Sequence, residues 1–393
     1  MSKRQLALLF LLHLCLFTMG YGLLPLMPVY ATRLGLSPTV VGYYLSLATL
    51  ATACGSLSAG WAFERVSRPK SLLFAIGALS IPGILLMGPA TRFWQLAILT
   101  AVVWFCIGIG MALVNILAGL SAEKHERGRI FGILSSASGF GGLIGGLTMG
   151  RVADRWGFPI MFVAAASVMV VWILIAGLVA TPRSPAASRP DQAVKSGAKP
   201  VLSTAFYLLF VANLMASIAS AVRTLGSPLV MNNLGYSAAA ISSTQAVLGS
   251  VAIPLPFFVG WLSDRVGRRW LIAVAFLAAS AALLTLANGT VLWHFFVAAG
   301  LVSVFLLGSP LGSAMTADLL PKESIPRGIS LYSSSTWLGG VMGFAAAGLA
   351  IQRFGMIPTF LAGAALPLVG VALVAAIRRP RPATDAGLGD RPR

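Results

Sequence analysis

Acidic side chains are scarce: only ten of the 393 residues are Asp or Glu, and charges of both signs amount to 10%. Soluble domains carry about 25% charged and about 45–50% apolar residues. Here 58% are apolar and the mean hydropathy is +0.88, so a water-soluble fold is excluded. The three cysteines, Cys15, Cys54 and Cys106, fall inside apolar runs without paired spacing, which argues against a disulfide framework or a thiolate metal site. The three histidines, His13, His125 and His294, are far apart, and no Ser/His/Asp, Cys/His or HExxH grouping occurs. Neither an enzyme nor a bound metal or cofactor is indicated. The net charge of +18 would suggest a nucleic-acid partner in a soluble protein. These basic residues instead sit in short gaps between apolar runs, a pattern that sets orientation in a membrane.

What the chain does have is room for roughly a dozen membrane crossings of about 20 residues each. Charges, prolines and glycines divide it into twelve predicted spans: 5–30, 38–63, 70–90, 92–120, 127–152, 158–180, 203–231, 237–262, 269–288, 290–318, 326–352 and 356–379. The expected class is an all-α integral membrane protein built as two pseudo-symmetric six-helix bundles. The first run resembles a signal peptide but lacks a small-residue cleavage site, so it is read as a retained helix. Segment 181–200, rich in Pro, Ala, Ser and Lys, reads as a linker between bundles 1–180 and 201–380, with 381–393 as a tail.

Shifting the sequence by 200 positions aligns Leu34-Gly35 with Leu234-Gly235, Ser37 with Ser237, Gly60-Trp61 with Gly260-Trp261 and Arg127-Gly128 with Arg327-Gly328. A shift of 198 then pairs Gly157 with Gly355. One register held across so many loops points to a duplicated six-helix unit, the parallel-repeat plan of many secondary transporters. The side holding both termini carries 22 of the 28 Lys and Arg, and the other side five, with Arg223 alone inside a span. Both termini and the linker are therefore expected in the cytoplasm, with the protein crossing the inner membrane many times.

The most specific motif is GWLSDRVGRRWLI from Gly260 to Ile272, echoed as GWAFERVSRPKSL from Gly60 to Leu72. It resembles the G-x-x-x-D-R-x-G-R-R/K loop signature of the major facilitator superfamily. That resemblance implies a conformational latch made of Gly60, Glu64, Arg65, Arg68, Gly260, Asp264, Arg265, Gly267 and Arg268. Asp264 would accept from free amides at a neighbouring helix start and pair with Arg265 or Arg268. A purely topogenic basic loop is the other reading. In the first copy Glu64, Ser67 and Pro69 depart from the pattern, so the weaker latch is expected there. The stretch from Gly20 to Pro38, which includes Tyr21, looks like the P-x-x-P-x-Y-x-x-x-L-G pattern of twelve-helix drug-efflux facilitators. In span 5, Gly128, Gly141, Gly145 and Gly146 match their antiporter motif, but Ala137 replaces a Gly and Gly142 the Pro. Gly142, Gly146 and Gly150, four apart, would equally make a packing groove.

Exporters of this kind often carry an acid in span 1 and an Arg in span 4, whereas here span 1 has none and Trp104 occupies the latter place. All ten acids lie in loops or at span ends. In span 7, Asn213, Ser217, Ser220, Thr224 and Ser227 recur every three or four residues and make one polar face, which borders either a cavity or another helix. Arg223 and Gln245 lie eight residues from the outer ends of spans 7 and 8, about 12 Å deep. They could meet a substrate together, or Arg223 could snorkel outward. Trp104, Gly108, Met111 and Asn115 share a face of span 4 that either lines the cavity or faces lipid or a helix. His13 matches Asn213 under the 200-residue shift. With a reference pKa of about 6.5 it is the intramembrane group suited to proton exchange, unless it is simply packed and neutral.

The expected function is transport by alternating access, most directly export of small amphipathic or drug-like molecules by a monomer, with proton antiport as one way to drive it. One alternative is a carrier of an organic anion with Arg223 as counter-charge. The other is a non-transporting sensor, assembly factor or lipid-handling protein.

Overall fold

Serine and glycine punctuate the helices. Ser2, Ser203 and Ser237 each accept a 3.2 Å hydrogen bond from the amide three residues on, starting Lys3–Leu23, Thr204–Asn233 and Ala238–Ala252. Gly35 and Gly235 end the first and seventh spans at φ of 77° and 80°, and Gly157 and Gly355 both adopt 84°. Only glycine takes this left-handed backbone without strain, so the sequence repeat is also a backbone repeat. The computed structural model describes residues 1–66, 69–123, 126–180, 203–255, 262–263, 265–321 and 324–377. The predicted linker 181–200 and tail 381–393 lie outside them.

Ten helices among the described residues are long and apolar enough to cross a membrane. One of them, Arg127–Leu178, breaks at Gly157 and makes spans 5 and 6, and the shorter Ala238–Ala252 begins span 8. Twelve spans result. The remainder are Pro38–Arg65, Pro69–Met87 and Phe93–Ser121 in the first half, with Arg268–Ala287, Leu292–Leu306, Gly308–Leu319, Ile325–Phe354 and Met356–Ala376 in the second. Two of the predicted spans are each two helices. Span 1 breaks between Leu23 and Leu26, and span 10 between Leu306 and Gly308. Pro28 and Pro310 follow these breaks, and a proline ring crowds the carbonyl four residues back, here Leu24 and Leu306. Chain direction also turns at Ile253 and Pro254, while Pro256 lies outside the described residues.

Each half is tied internally. Gln5 exchanges bonds with the Ala180 backbone (2.8 and 3.1 Å), joining the start of span 1 to the end of span 6. Buried Trp172 donates to the Leu73 carbonyl at 3.0 Å. Leu57, Leu174 and Leu178 are among the large apolar side chains left exposed, as a lipid-facing surface requires. The halves meet along two crossings, span 5 on span 8 and span 2 on span 11. At the first, a Cβ on Gly146 or Gly150 would collide with Ala246 or Ala238, so the four-residue glycine stripe is a packing groove. Gly141 and Gly145 face span 1 instead, against Phe17 and Thr18. Hydrogen bonds join the halves at the ends of these spans away from the termini: Ser242 Oγ to Gly146 O (2.8 Å), Ser46 Oγ to Val341 O (2.7 Å) and Thr39 Oγ1 to Gly348 O (3.4 Å).

Candidate functional site

The two halves enclose a pair of adjoining chambers. One, of about 230 Å³, is lined by Phe17, Tyr21, Thr52, Trp104 and Met111, and the other, of about 220 Å³, by Asn213, Ser217, Ser220 and Ser309. Thr49, Thr224, Trp337 and Phe344 border both. The polar face of span 7 thus borders a cavity and a helix at once. Asn213 gives its amide hydrogens to Ser335 Oγ (2.7 Å) and Thr336 Oγ1 (2.9 Å), and accepts from Tyr332 Oη at 3.1 Å. Thr224 donates back to the Ser220 carbonyl at 2.8 Å. Ser227, farther along the same face, is buried and outside this lining. Trp104 and Tyr21 line the first chamber, while Asn115 is exposed and lines neither.

Arg223 and Gln245 are the unsatisfied groups near this centre. Arg223 donates through one terminal nitrogen to Thr224 Oγ1 at 2.9 Å, yet its buried Nε has no hydrogen-bond partner among the described residues. Its charge lies within electrostatic reach of the Tyr21 hydroxyl. Gln245 is 4% exposed and its Oε1 is likewise buried without a partner among the described residues. Gly142 packs beside both the Gln245 backbone and the Tyr21 ring, which brings spans 1, 5 and 8 together at this depth. A buried donor and a buried acceptor left open are costly in a low-dielectric interior. His13 lies deeper toward the terminal face, with Nε2 3.4 Å from the Met111 carbonyl and its ring 5.5 Å from Phe17. The Phe17 ring in turn stacks 5.5 Å from Tyr21, so one face of span 1 runs as an aromatic ladder into the first chamber.

The sequence profile described as Major Facilitator Superfamily matches residues 9–226 and 208–393, nearly the whole chain. The chain belongs to the major facilitator superfamily. It is a multi-pass membrane transporter and not an enzyme. Among similar proteins is the Multidrug resistance protein MdtG of Klebsiella pneumoniae (strain 342), 25% identical over 393 residues, covering 94% of this chain and 92% of that one. MdtG of Salmonella paratyphi A is 25% identical over 310 residues, covering 75% and 74%. Solved structures share the fold. The nucleoside transporter NupG superposes with a TM-score of 0.76 at 13% identity (95% and 99% covered). A POT peptide transporter in complex with sulfate gives 0.75 at 17% (95% and 94%).

The superfamily loop signature is only partly visible. Arg68, Gly260 and Asp264 lie outside the described residues. Gly60 and Glu64 are exposed, and Arg65 stacks over Trp61 with its guanidinium carbon 4.5 Å from the ring centroid. Arg265 is exposed on the same face. Gly267 precedes span 9 at a φ of 90°, and Arg268 bonds both the Ala314 carbonyl (3.1 Å) and the Asp318 carboxylate. Asp318 was missed in sequence reading because an acid at a span end looks topogenic. Trp337 and Thr49 were missed as well: each stands among small residues with no periodic signal.

Proposed function

We propose that the protein is a secondary active exporter of small amphipathic or drug-like molecules, working by alternating access. The observation that carries this reading is the paired chambers: aromatic walls from Phe17, Tyr21, Trp104, Trp337 and Phe344, a few hydroxyls, and no carboxylate. Such a lining accepts apolar bodies of varied shape and orients them through sparse polar contacts. The multidrug relatives supply the same substrate class by similarity. The excess of basic residues on the terminal face supports a cytoplasmic location for both termini in the inner membrane. The chambers then lie between halves whose extracytoplasmic ends are closed together. Rocking of the halves would expose them alternately.

A second reading, transport of an organic anion, is favoured by one observation: Arg223 Nε is buried with no hydrogen-bond partner among the described residues. Proteoliposomes given size-matched cationic, neutral and anionic amphipaths under an imposed pH gradient test both. Uphill movement of cations or neutral compounds is expected, movement of anions alone selects the second reading, and movement of none, either with the gradient or by downhill exchange without it, rejects both.

A further inference from the structure

Spans 2, 5, 8 and 11 all end in one eight-residue pattern. It reads Gly60 to Ser67 (GWAFERVS), Gly150 to Gly157 (GRVADRWG), Gly260 to Gly267 (GWLSDRVG) and Gly348 to Gly355 (GLAIQRFG). Each copy has glycine first, then Glu64, Asp154, Asp264 or Gln352 at the fifth place, then arginine, and glycine or serine last. Two copies end on the terminal face and two on the opposite face, as an inverted three-plus-three repeat within each half would arrange them.

The copies on the opposite face are engaged across the halves. Both carboxylate oxygens of Asp154 accept 2.8 Å hydrogen bonds, from the amides of Ala238 and Ala239 in the first turn of span 8. Gln352 Oε1 accepts from Thr39, in the first turn of span 2, at 3.3 Å. The leading glycines permit this approach: a Cβ on Gly150 would strike the Ala238 carbonyl, and one on Gly348 the carbonyl of Pro38. On the terminal face, by contrast, a Cβ on Gly60 would meet nothing within 4 Å among the described residues. The pattern is docked where the halves touch and open at Gly60.

We propose that Asp154 and Gln352 form a latch holding the extracytoplasmic face shut, with Asp154 the dominant element. This rests on the rocking of the halves described under the proposed function. An Asp154 carboxylate satisfies two free amides and faces the positive end of a helix dipole. Gln352 satisfies one amide without charge. Because each bond joins the two halves, it exists only while that face is closed, so it biases the conformational equilibrium.

Spin labels on Thr91→Cys and Asn288→Cys, in full-length protein lacking its native cysteines and held in lipid nanodiscs, report opening of this face by electron–electron distance. The parent should show short and long distances that exchange weight on adding a transported amphipath; a single invariant distance would reject rocking itself. With two distances present, Asp154→Ala should raise the long population about fivefold, the cost of losing a helix cap. Asp154→Asn should fall between, since one amide oxygen still accepts. Gln352→Glu, at an exposed site where folding is safe, should lower the long population. Unchanged weights in Asp154→Ala, or in Gln352→Glu if the alanine variant does not fold, would overturn the latch while leaving rocking intact.

Discussion

Ser335 Oγ lies 2.7 Å from Nδ2 of Asn213, and this pair fastens span 7 to span 11 beside the second chamber. Thr336 and Tyr332 complete the set around the same amide. Removing it leaves the buried Tyr332 hydroxyl only its longer 3.4 Å contact with the Gly308 carbonyl and loosens a crossing at which Gly339 already packs against Ser217. Asn213→Ala should therefore lower stability by about 1–2 kcal/mol, the upper range for interhelical hydrogen bonds in membranes. Thermal unfolding in detergent measures it.

Spans 2 and 4 cross at paired glycines. A Cβ on Gly55 would run into the Phe105 carbonyl, and one on Gly108 into that of Thr52. Gly108→Ala should separate the helices at a cost of about 1–3 kcal/mol, as overpacking does. Gly300, whose Cβ would meet nothing within 4 Å, is the matched control. There alanine should stabilise by up to about 1 kcal/mol through helix propensity. Equal melting shifts in the two variants would contradict this account.

The number of spans and the duplication were legible because membrane crossing is enforced by composition, and because Gly35 and Gly235 or Gly157 and Gly355 must be glycine to hold their backbone. The break ahead of Pro310 was not legible, since apolar composition continues across it. Asn213 shows why the site was only half readable. A polar stripe at helical spacing reports that something polar faces it, but Ser335 and Thr336 on span 11 satisfy that face as well as a cavity would. Asp154 sits among Arg151 and Arg155 and reads as part of a topogenic cluster until span 8 is seen against it.

Arg223 separates the two substrate readings. If an anionic group on the substrate satisfies Nε, Arg223→Ala should weaken anion binding by about ten- to a hundredfold, the worth of a charge-assisted hydrogen bond. Neutral and cationic amphipaths should bind as before. Ligand-induced thermal shifts across a charge series decide it, and equal loss for every charge would assign Arg223 a structural role beside Thr224.

Energy coupling is the remaining question, because among the described residues every acid lies at a span end or in a connection and none lines the chambers. A proton exchanged for substrate must therefore use another group, and His13 stands at the base of the aromatic ladder that leads through Phe17 to Tyr21 in the first chamber. Its ring is buried, and Nε2 approaches the Met111 carbonyl at 3.4 Å. Glutamine in its place can still donate to Met111 and fills similar space, but it does not titrate near neutrality. His13→Gln should therefore abolish uphill transport driven by a pH gradient while leaving downhill exchange of the same substrate largely intact. Exchange needs binding and rocking but no net proton movement. Flux in proteoliposomes with and without the gradient measures both. Should the unmodified protein ignore the gradient, proton antiport is wrong; should the variant still concentrate substrate, the proton travels by a group other than His13.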